Sequence, residues 1–166
     1  MSKSSRKGKA GENKVVQLLK EWWKDERFVR NWVGQSGAIG TMIGDNKAMP
    51  QHLIEAMSAD IITPDGFPFS IESKNYSEVD LYEIIRNPQN ATVVEFFRQA
   101  KRDAMRGSKK PLVMFKEDRK QYYVIFEIND LLPSNKGYIQ FKVDGVDVKI
   151  MAWSDFTECY PKESFQ

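Results

Sequence analysis

Hydrophobic residues recur at helical spacing near the start of the chain. Four apolar residues lie three or four positions apart: Val15, Leu18, Leu19 and Trp22. This spacing puts them on one face of a helix, which we predict over about 9–24. The preceding residues 1–8 are mainly polar and basic, so we expect them to form a flexible N-terminal arm.

The remaining pattern alternates between strands and helices. Strands are predicted over about 28–33, 59–63, 68–75, 111–116 and 122–128, and a β-hairpin over 138–153. Helices are predicted over about 78–86 and 91–105. This order is typical of an α/β protein. We therefore expect a single domain over 9–166 with a central mixed β-sheet flanked by helices. Its core would cover about 9–128, with a C-terminal β-hairpin extension over about 129–166.

One stretch, residues 34–57, has no regular pattern. It contains several glycines and follows the first predicted strand. A loop of this length inside a domain is usually functional or mobile.

Composition narrows the class of protein. The chain has 166 residues, enough for one core, and its single cysteine, Cys159, cannot form an internal disulfide. No apolar run approaches the roughly 18 residues that a membrane span requires. The basic N-terminus lacks the apolar stretch of a secretory signal. We expect a cytoplasmic protein of a bacterial, archaeal or virus-infected cell.

Charge is distributed unevenly although the net charge is only +2. Residues 1–14 carry +4 and residues 98–120 carry +6, whereas residues 15–97 carry −5 and residues 121–166 carry −3. Two basic segments therefore flank an acidic middle. They could bind a polyanion such as DNA, or they could simply be solvated tails and helix faces.

Candidate chemistry lies in the acidic middle. Asp60 and Glu72 fall on two predicted strands that a Pro64-Asp65-Gly66 turn joins, and Lys74 shares a strand face with Glu72. Two carboxylates could hold Mg²⁺, with Mn²⁺ as a substitute and the backbone carbonyl of Ser73 as a further ligand. Lys74 could then orient the attacking water or stabilise the phosphate during phosphodiester hydrolysis.

Simpler interpretations of the same residues exist. Glu-x-Lys is a short pattern that chance produces about once in a chain this rich in charge, and the pair could face solvent. Asp60 could cap a turn. Their apolar surroundings favour a function, because acids placed among core-forming residues such as Ile61 and Ile71 need a partner.

Four sequence motifs together resemble the PD-(D/E)xK nuclease superfamily, and within it the archaeal and phage-type Holliday junction resolvases. They are Arg6-Lys7-Gly8-Lys9-Ala10-Gly11-Glu12, Gln35-Ser36-Gly37-Ala38, Ala59-Asp60-Ile61 and Ile71-Glu72-Ser73-Lys74. The chain departs from the family in lacking the motif proline, since Ala59 precedes Asp60, and in its long loop before Asp60. The resemblance covers about residues 6–117 and implies a restriction-endonuclease-like core.

The resemblance also implies further site residues. Glu12 would be a catalytic residue and metal ligand from the first helix, although an acid there also suits the helix dipole. Contacts to DNA would come from basic and polar side chains: Arg6, Lys7, Lys9, Ser36, Gln99 and Arg102. The implied function is a Mg²⁺-dependent endonuclease, most simply a homodimeric junction resolvase in DNA recombination or repair. A repair, restriction or replication-linked nuclease of the same fold and a non-catalytic DNA-binding module remain alternatives.

Overall fold

Seven strands build one mixed sheet in the part of the chain that the structure describes. The computed structural model describes residues 3–31, 59–128 and 135–165, with side chains from residue 7 onward. The strands are β1 (Val29–Arg30), β2 (Ile61–Ile62), β3 (Phe69–Tyr76), β4 (Lys110–Glu117), β5 (Tyr122–Glu127), β6 (Ile139–Val143) and β7 (Val146–Ala152). Their order is β1-β2-β3-β4-β5-β7-β6. Strands β3 and β4 pair in parallel and the other neighbours are antiparallel.

Four helices accompany this sheet within the same residues. They are α1 (Lys3–Trp23), α2 (Glu83–Arg86), α3 (Thr92–Arg106) and α4 (Trp153–Cys159), and a 3₁₀ turn follows at Lys162–Phe165. Among the helices described, none is both long and apolar enough to cross a membrane. The predicted α/β fold with a helix-flanked mixed sheet is confirmed.

The parallel pair is the centre of the fold. Parallel neighbours need a crossover connection, and α2 and α3 lie in the connection from β3 to β4. Strand β4 is apolar over Leu112–Phe115 and buried on both faces, as expected for a strand covered by helices on each side.

Helices cover the two faces of the sheet with separate hydrophobic cores. On one face, α1 and α4 pack through Val15, Leu19 and Phe156 against alternate sheet residues such as Ile71. On the other, α3 packs through Val94 and Phe97 against the intervening residues. Successive residues of β3 therefore point into different cores, which follows from the two-residue period of a strand.

The turns follow the local sequence. Phe67 N–H donates to the Pro64 carbonyl at 3.1 Å and Gly66 has φ +78°, as in a type II turn. Asp144 and Gly145 both have positive φ between β6 and β7, as in a type I′ hairpin turn. Both predicted turns are confirmed.

Several element boundaries differ from the prediction. Helix α1 starts at Lys3, so it includes most of residues 1–8, which we expected to be a flexible arm. Helix α2 covers four residues where a helix over 78–86 was predicted. Strands β1 and β2 are two residues long, shorter than predicted. The irregular stretch 34–57 lies outside the described residues.

The C-terminal segment is part of the core. The predicted hairpin is present, and its second strand β7 pairs with β5 over five residues, so it extends the main sheet. Helix α4 was not predicted. Its Phe156 contacts the rings of Trp22, Phe126 and Tyr160, with centroids 5.1–5.4 Å apart. The Trp22 indole N–H also donates to the Tyr160 carbonyl at 3.1 Å, which ties the chain's end to α1.

We predict that Phe156→Ala destabilises the whole domain by about 3–5 kcal/mol, because it leaves a cavity among buried rings. Phe156 is 0% exposed. Urea denaturation followed by circular dichroism would measure the change. As a control, Ile85→Ala, at a residue 79% exposed, should change the free energy of unfolding by less than about 0.5 kcal/mol. Equal effects from the two variants would contradict this role for α4.

Candidate active site

The two-residue period of β3 presents Glu72 and Lys74 on the face covered by α3. Ile71, between β2 and β4, belongs to the core beneath α1. Glu72 instead contacts Gln99 of α3, and Tyr76, two residues beyond Lys74, contacts Phe96 of α3 with ring centroids 4.9 Å apart. The prediction that Glu72 and Lys74 share a strand face is confirmed.

Asp60 is fixed immediately before the short strand β2 begins. Its backbone N–H donates to the Ile71 carbonyl at 3.1 Å, and its carbonyl accepts from Asn31 N–H at 2.8 Å. Its carboxylate Oδ2 accepts from the backbone N–H of Ser73 at 2.8 Å. The side chain thus satisfies the Ser73 N–H of β3 at a position where β2 no longer pairs with β3. Asp60 is thereby positioned beside the Glu72-Ser73-Lys74 segment.

Glu72, Lys74 and Gln99 form a closed triangle of hydrogen bonds. Lys74 Nζ lies 2.6 Å from Glu72 Oε1, and Gln99 Nε2 donates to the same oxygen at 2.6 Å. Lys74 Nζ also donates to Gln99 Oε1 at 2.9 Å. Such a ring of contacts allows each side chain little freedom, so the carboxylate and the ammonium are held in a fixed orientation.

Burial and charge shift the ionisation of these groups. Burial raises the pKa of Glu72 to about 8; the Asp60 charge adds to the rise and Lys74 opposes it. Burial likewise raises the pKa of Asp60, although the hydrogen bond from Ser73 N–H and the charge of Lys74 lower it. Burial alone would lower the pKa of Lys74, but the neighbouring Glu72 charge raises it overall. Two carboxylates thus share a poorly solvated site in which both resist ionisation.

A third carboxylate, Asp103, belongs to the same electrostatic environment and was missed in the sequence. It follows Gln99 by one helical turn on α3, and its charge raises the pKa values of both Asp60 and Glu72. Burial raises its own pKa, while Arg106, Arg102 and Lys74 lower it. The i, i+4 spacing from Gln99 is the signal that could have identified it.

Glu12 contacts Arg30 at the β1 edge of the sheet. It is on α1, which covers the opposite face of the sheet, and its Oε2 lies 3.7 Å from Nη1 of Arg30 on β1. Both side chains are largely buried. The neighbouring Gly11 allows α1 to lie close to β3, because a Cβ at this position would come within 3.2 Å of Asn75 Cβ. The role of Glu12 as a metal ligand stays a prediction.

The predicted DNA contacts divide into two groups. Gln99 and Arg102 lie beside Lys74 and line the same groove. Lys7 of α1 pairs with Asp118 at 2.7 Å, and Lys9 also has an interaction partner. Ser36 and the side chain of Arg6 lie outside the described residues.

The candidate site is poor in metal-binding side chains. Across residues 3–31, 59–128 and 135–165 there is no group of three or more histidine, cysteine, aspartate or glutamate residues placed to hold a metal ion together. Asp60 and Glu72 supply two carboxylates. A hard cation such as Mg²⁺ can bind through one or two carboxylates if waters or substrate phosphates complete its shell.

Comparison with known proteins identifies the family of this chain. A family model described as phage putative PDDEXK endonuclease matches residues 3–166. The matched range spans every strand and helix described above. No curated protein and no solved structure matches the chain.

We predict that the metal-free protein loses stability as the pH rises from about 5 to about 8. In this range Glu72 ionises in the unfolded chain but keeps its proton in the fold, where its pKa is about 8. Asp60→Asn removes a neighbouring charge and keeps an oxygen acceptor for Ser73 N–H. It should therefore flatten the pH dependence and raise Tm by roughly 2–8 °C near pH 8. Thermal unfolding with a chelator present would measure both.

Asp60→Ala is the matched control for this experiment. It removes the same charge but leaves the Ser73 N–H without its acceptor, so its Tm should fall below that of Asp60→Asn at every pH. An Asp60→Asn variant with the same pH dependence as the wild type would show that the two carboxylates do not interact.

Proposed function

Because this chain belongs to the phage putative PDDEXK endonuclease family, we propose that it is a Mg²⁺-dependent DNA endonuclease with Asp60, Glu72 and Lys74 at its active centre. The observation that carries this proposal is the burial of two carboxylates beside one fixed ammonium group. Two acids that both resist ionisation in the fold are unfavourable for stability alone, and their arrangement suits a divalent cation and a phosphate.

The donor set fits such a cation. Asp60 and Glu72 offer hard carboxylate oxygens, and a positive charge between them would offset their repulsion and favour the ionised forms. We propose these two side chains as ligands, with the Ser73 carbonyl and Glu12 of α1 as further ligands. A bound Mg²⁺ supplies positive charge against the phosphate and promotes the ionisation of water. Mn²⁺ would serve as a substitute.

Lys74 acts as a fixed cation in this proposal. Its raised pKa keeps the ammonium protonated near neutral pH, so the group stabilises negative charge that develops on the phosphate. Gln99 holds the ammonium and the Glu72 carboxylate at their present separation. Gln99 is therefore a positioning residue. Arg102, three residues further along α3, would contact the DNA backbone.

We propose branched DNA, most simply a four-way junction, as the substrate. The basic segment 98–120 includes Arg102 beside the site, and basic segments at two places in the sequence suit a substrate with several arms. A homodimer would match the two equivalent strands of a symmetric junction. Paired symmetric nicks on a four-way junction would support resolution. Cutting of linear duplex or of DNA ends would favour a restriction, repair or replication-linked nuclease of the same fold.

We predict that purified protein cleaves DNA in Mg²⁺ and that Glu72→Gln and Lys74→Met each lower the rate by at least about 100-fold. Labelled four-way junction, flap and linear duplex DNA on denaturing gels would measure cleavage. Calorimetric titration with Mn²⁺ should separate the two roles. Glu72→Gln should weaken metal binding, whereas Lys74→Met should leave it intact or strengthen it, because a nearby positive charge is removed.

Glu158→Gln is the isosteric control, since Glu158 pairs with Lys136 on the surface away from the site. It should cut at the wild-type rate. DNA binding without cleavage in either Mg²⁺ or Mn²⁺ would instead identify a non-catalytic DNA-binding module. Full cleavage by Glu72→Gln would refute the proposed centre.

A further inference from the structure

A groove of about 420 Å³ opens directly beside the candidate active centre. Lys74 and Gln99, which contact Glu72, line it together with Arg102. Tyr76 and Phe96 contribute aromatic surface, and Asn90 adds an amide. The groove is therefore continuous with the candidate site and combines cationic, aromatic and amide groups.

Tyr76 is an exposed ring on a rigid support. Its side chain is 43% exposed, although its backbone pairs with Glu117 of β4 and its carbonyl accepts from Asp118 N–H at 3.0 Å. The ring rests against Phe96, with centroids 4.9 Å apart and planes tilted by 50°. Phe96 is buried. Tyr76 thus presents an aromatic surface to the groove, and binding a ligand there would cost little entropy because the ring is already held in place.

The charges around the groove favour an anionic ligand. Glu95 is the acid on the lining, and Nη1 of Arg98 lies 2.6 Å from its Oε1. Asp144 of the β6–β7 turn holds the same guanidinium through Nη2 at 2.7 Å. The Thr92 hydroxyl donates to Glu83 at 3.1 Å. The acid of the lining is therefore already paired with Arg98. Of the two lining cations, Lys74 is paired with Glu72, so Arg102 is the cation that the groove offers to an anionic ligand.

Tyr76 lies on the same strand and the same face as the candidate active-site residues. Glu72, Lys74 and Tyr76 are successive residues on one face of β3, so Tyr76 lies roughly 13 Å along the strand from Glu72. A ligand stacked on Tyr76 would be close to a phosphate at the carboxylates, but it would not be the reacting group itself.

We propose that this groove binds an unpaired nucleobase of the DNA substrate, stacked on Tyr76, from a nucleotide next to the cleaved phosphodiester. The inference rests on the proposed nuclease function and adds a substrate class to it. Bases within a duplex have both faces covered by their neighbours, so stacking on Tyr76 requires a base that is unpaired or turned out of the helix. Arg102 contacts the adjoining phosphate, and the site selects DNA with single-stranded or disrupted segments.

Binding measurements in a chelator test this without cleavage. The probes are a duplex with a single-stranded tail and a fully paired duplex of the same sequence, with 2-aminopurine placed at successive tail positions. Wild-type protein should quench 2-aminopurine at one or two adjacent positions. Tyr76→Ala should lose this quenching and bind the tailed DNA about 5- to 100-fold more weakly, while its affinity for the paired duplex is unchanged.

Two further variants separate stacking from structure. Tyr76→Phe keeps the ring and should retain the wild-type affinity for tailed DNA. Tyr82→Ala removes a tyrosine that is 74% exposed and outside the groove, and it should behave as the wild type. The proposal is overturned if Tyr76→Ala binds tailed DNA normally, or if it loses equal affinity for tailed and paired DNA.

The outcomes also distinguish this inference from the nuclease proposal. If the wild type cleaves branched DNA and Tyr76→Ala keeps the same preference and quenching pattern, the groove assignment fails and the nuclease stands. If Tyr76-dependent quenching is present but no substrate is cut, the nuclease proposal fails and the base-binding groove stands.

Discussion

The alternation of side chains along β3, with a helix packed on each face, is the constraint on which the rest of the structure depends. Odd-numbered positions such as Ile71 complete the core beneath α1, and even-numbered positions face α3. Glu72 therefore cannot reach bulk solvent on either side of the sheet. It is 4% exposed, and its carboxylate is contacted by Lys74 on its own strand and by Gln99 on α3. Because solvent does not reach Glu72, protein side chains must supply its hydrogen-bond donors.

The neighbouring elements compensate for that burial only in part. Gln99 and Lys74 satisfy one oxygen of Glu72, and the Ser73 N–H satisfies Asp60. Yet the pKa of Glu72 stays near 8, because burial and Asp60 outweigh the lysine. A sequence under selection for stability alone could replace such a pair with apolar residues at little cost. Retained electrostatic strain of this kind is typical of functional sites, and a divalent cation would relieve it.

Much of this arrangement could be predicted from the sequence, because local patterns of apolar residues and turn residues determine most of its strands and helices. Strong period-two and period-three-to-four patterns identified β3–β7 and α3, and Gly66 and Gly145 marked turns that require positive φ. Strand β2 is two residues long and is held by pairing on both sides, a tertiary effect with little local signal. Helix α4 was missed because its apolar residues continue directly from β7. Asp103 was missed because its i, i+4 spacing from Gln99 points to the site only once α3 is known to pack against the Glu72 face of β3.

The same constraint links the site to the groove beside it. Because β3 continues past Lys74 with its pairing to β4 intact, the face that holds Glu72 and Lys74 also presents Tyr76. Helix α3 contributes Gln99 to the triangle and Phe96 beneath Tyr76, so one strand and one helix carry both regions. A shift of α3 along β3 would move both together. Substrate selection and bond cleavage would then depend on a single packing interface, between the α3-facing side of β3 and the apolar face of α3.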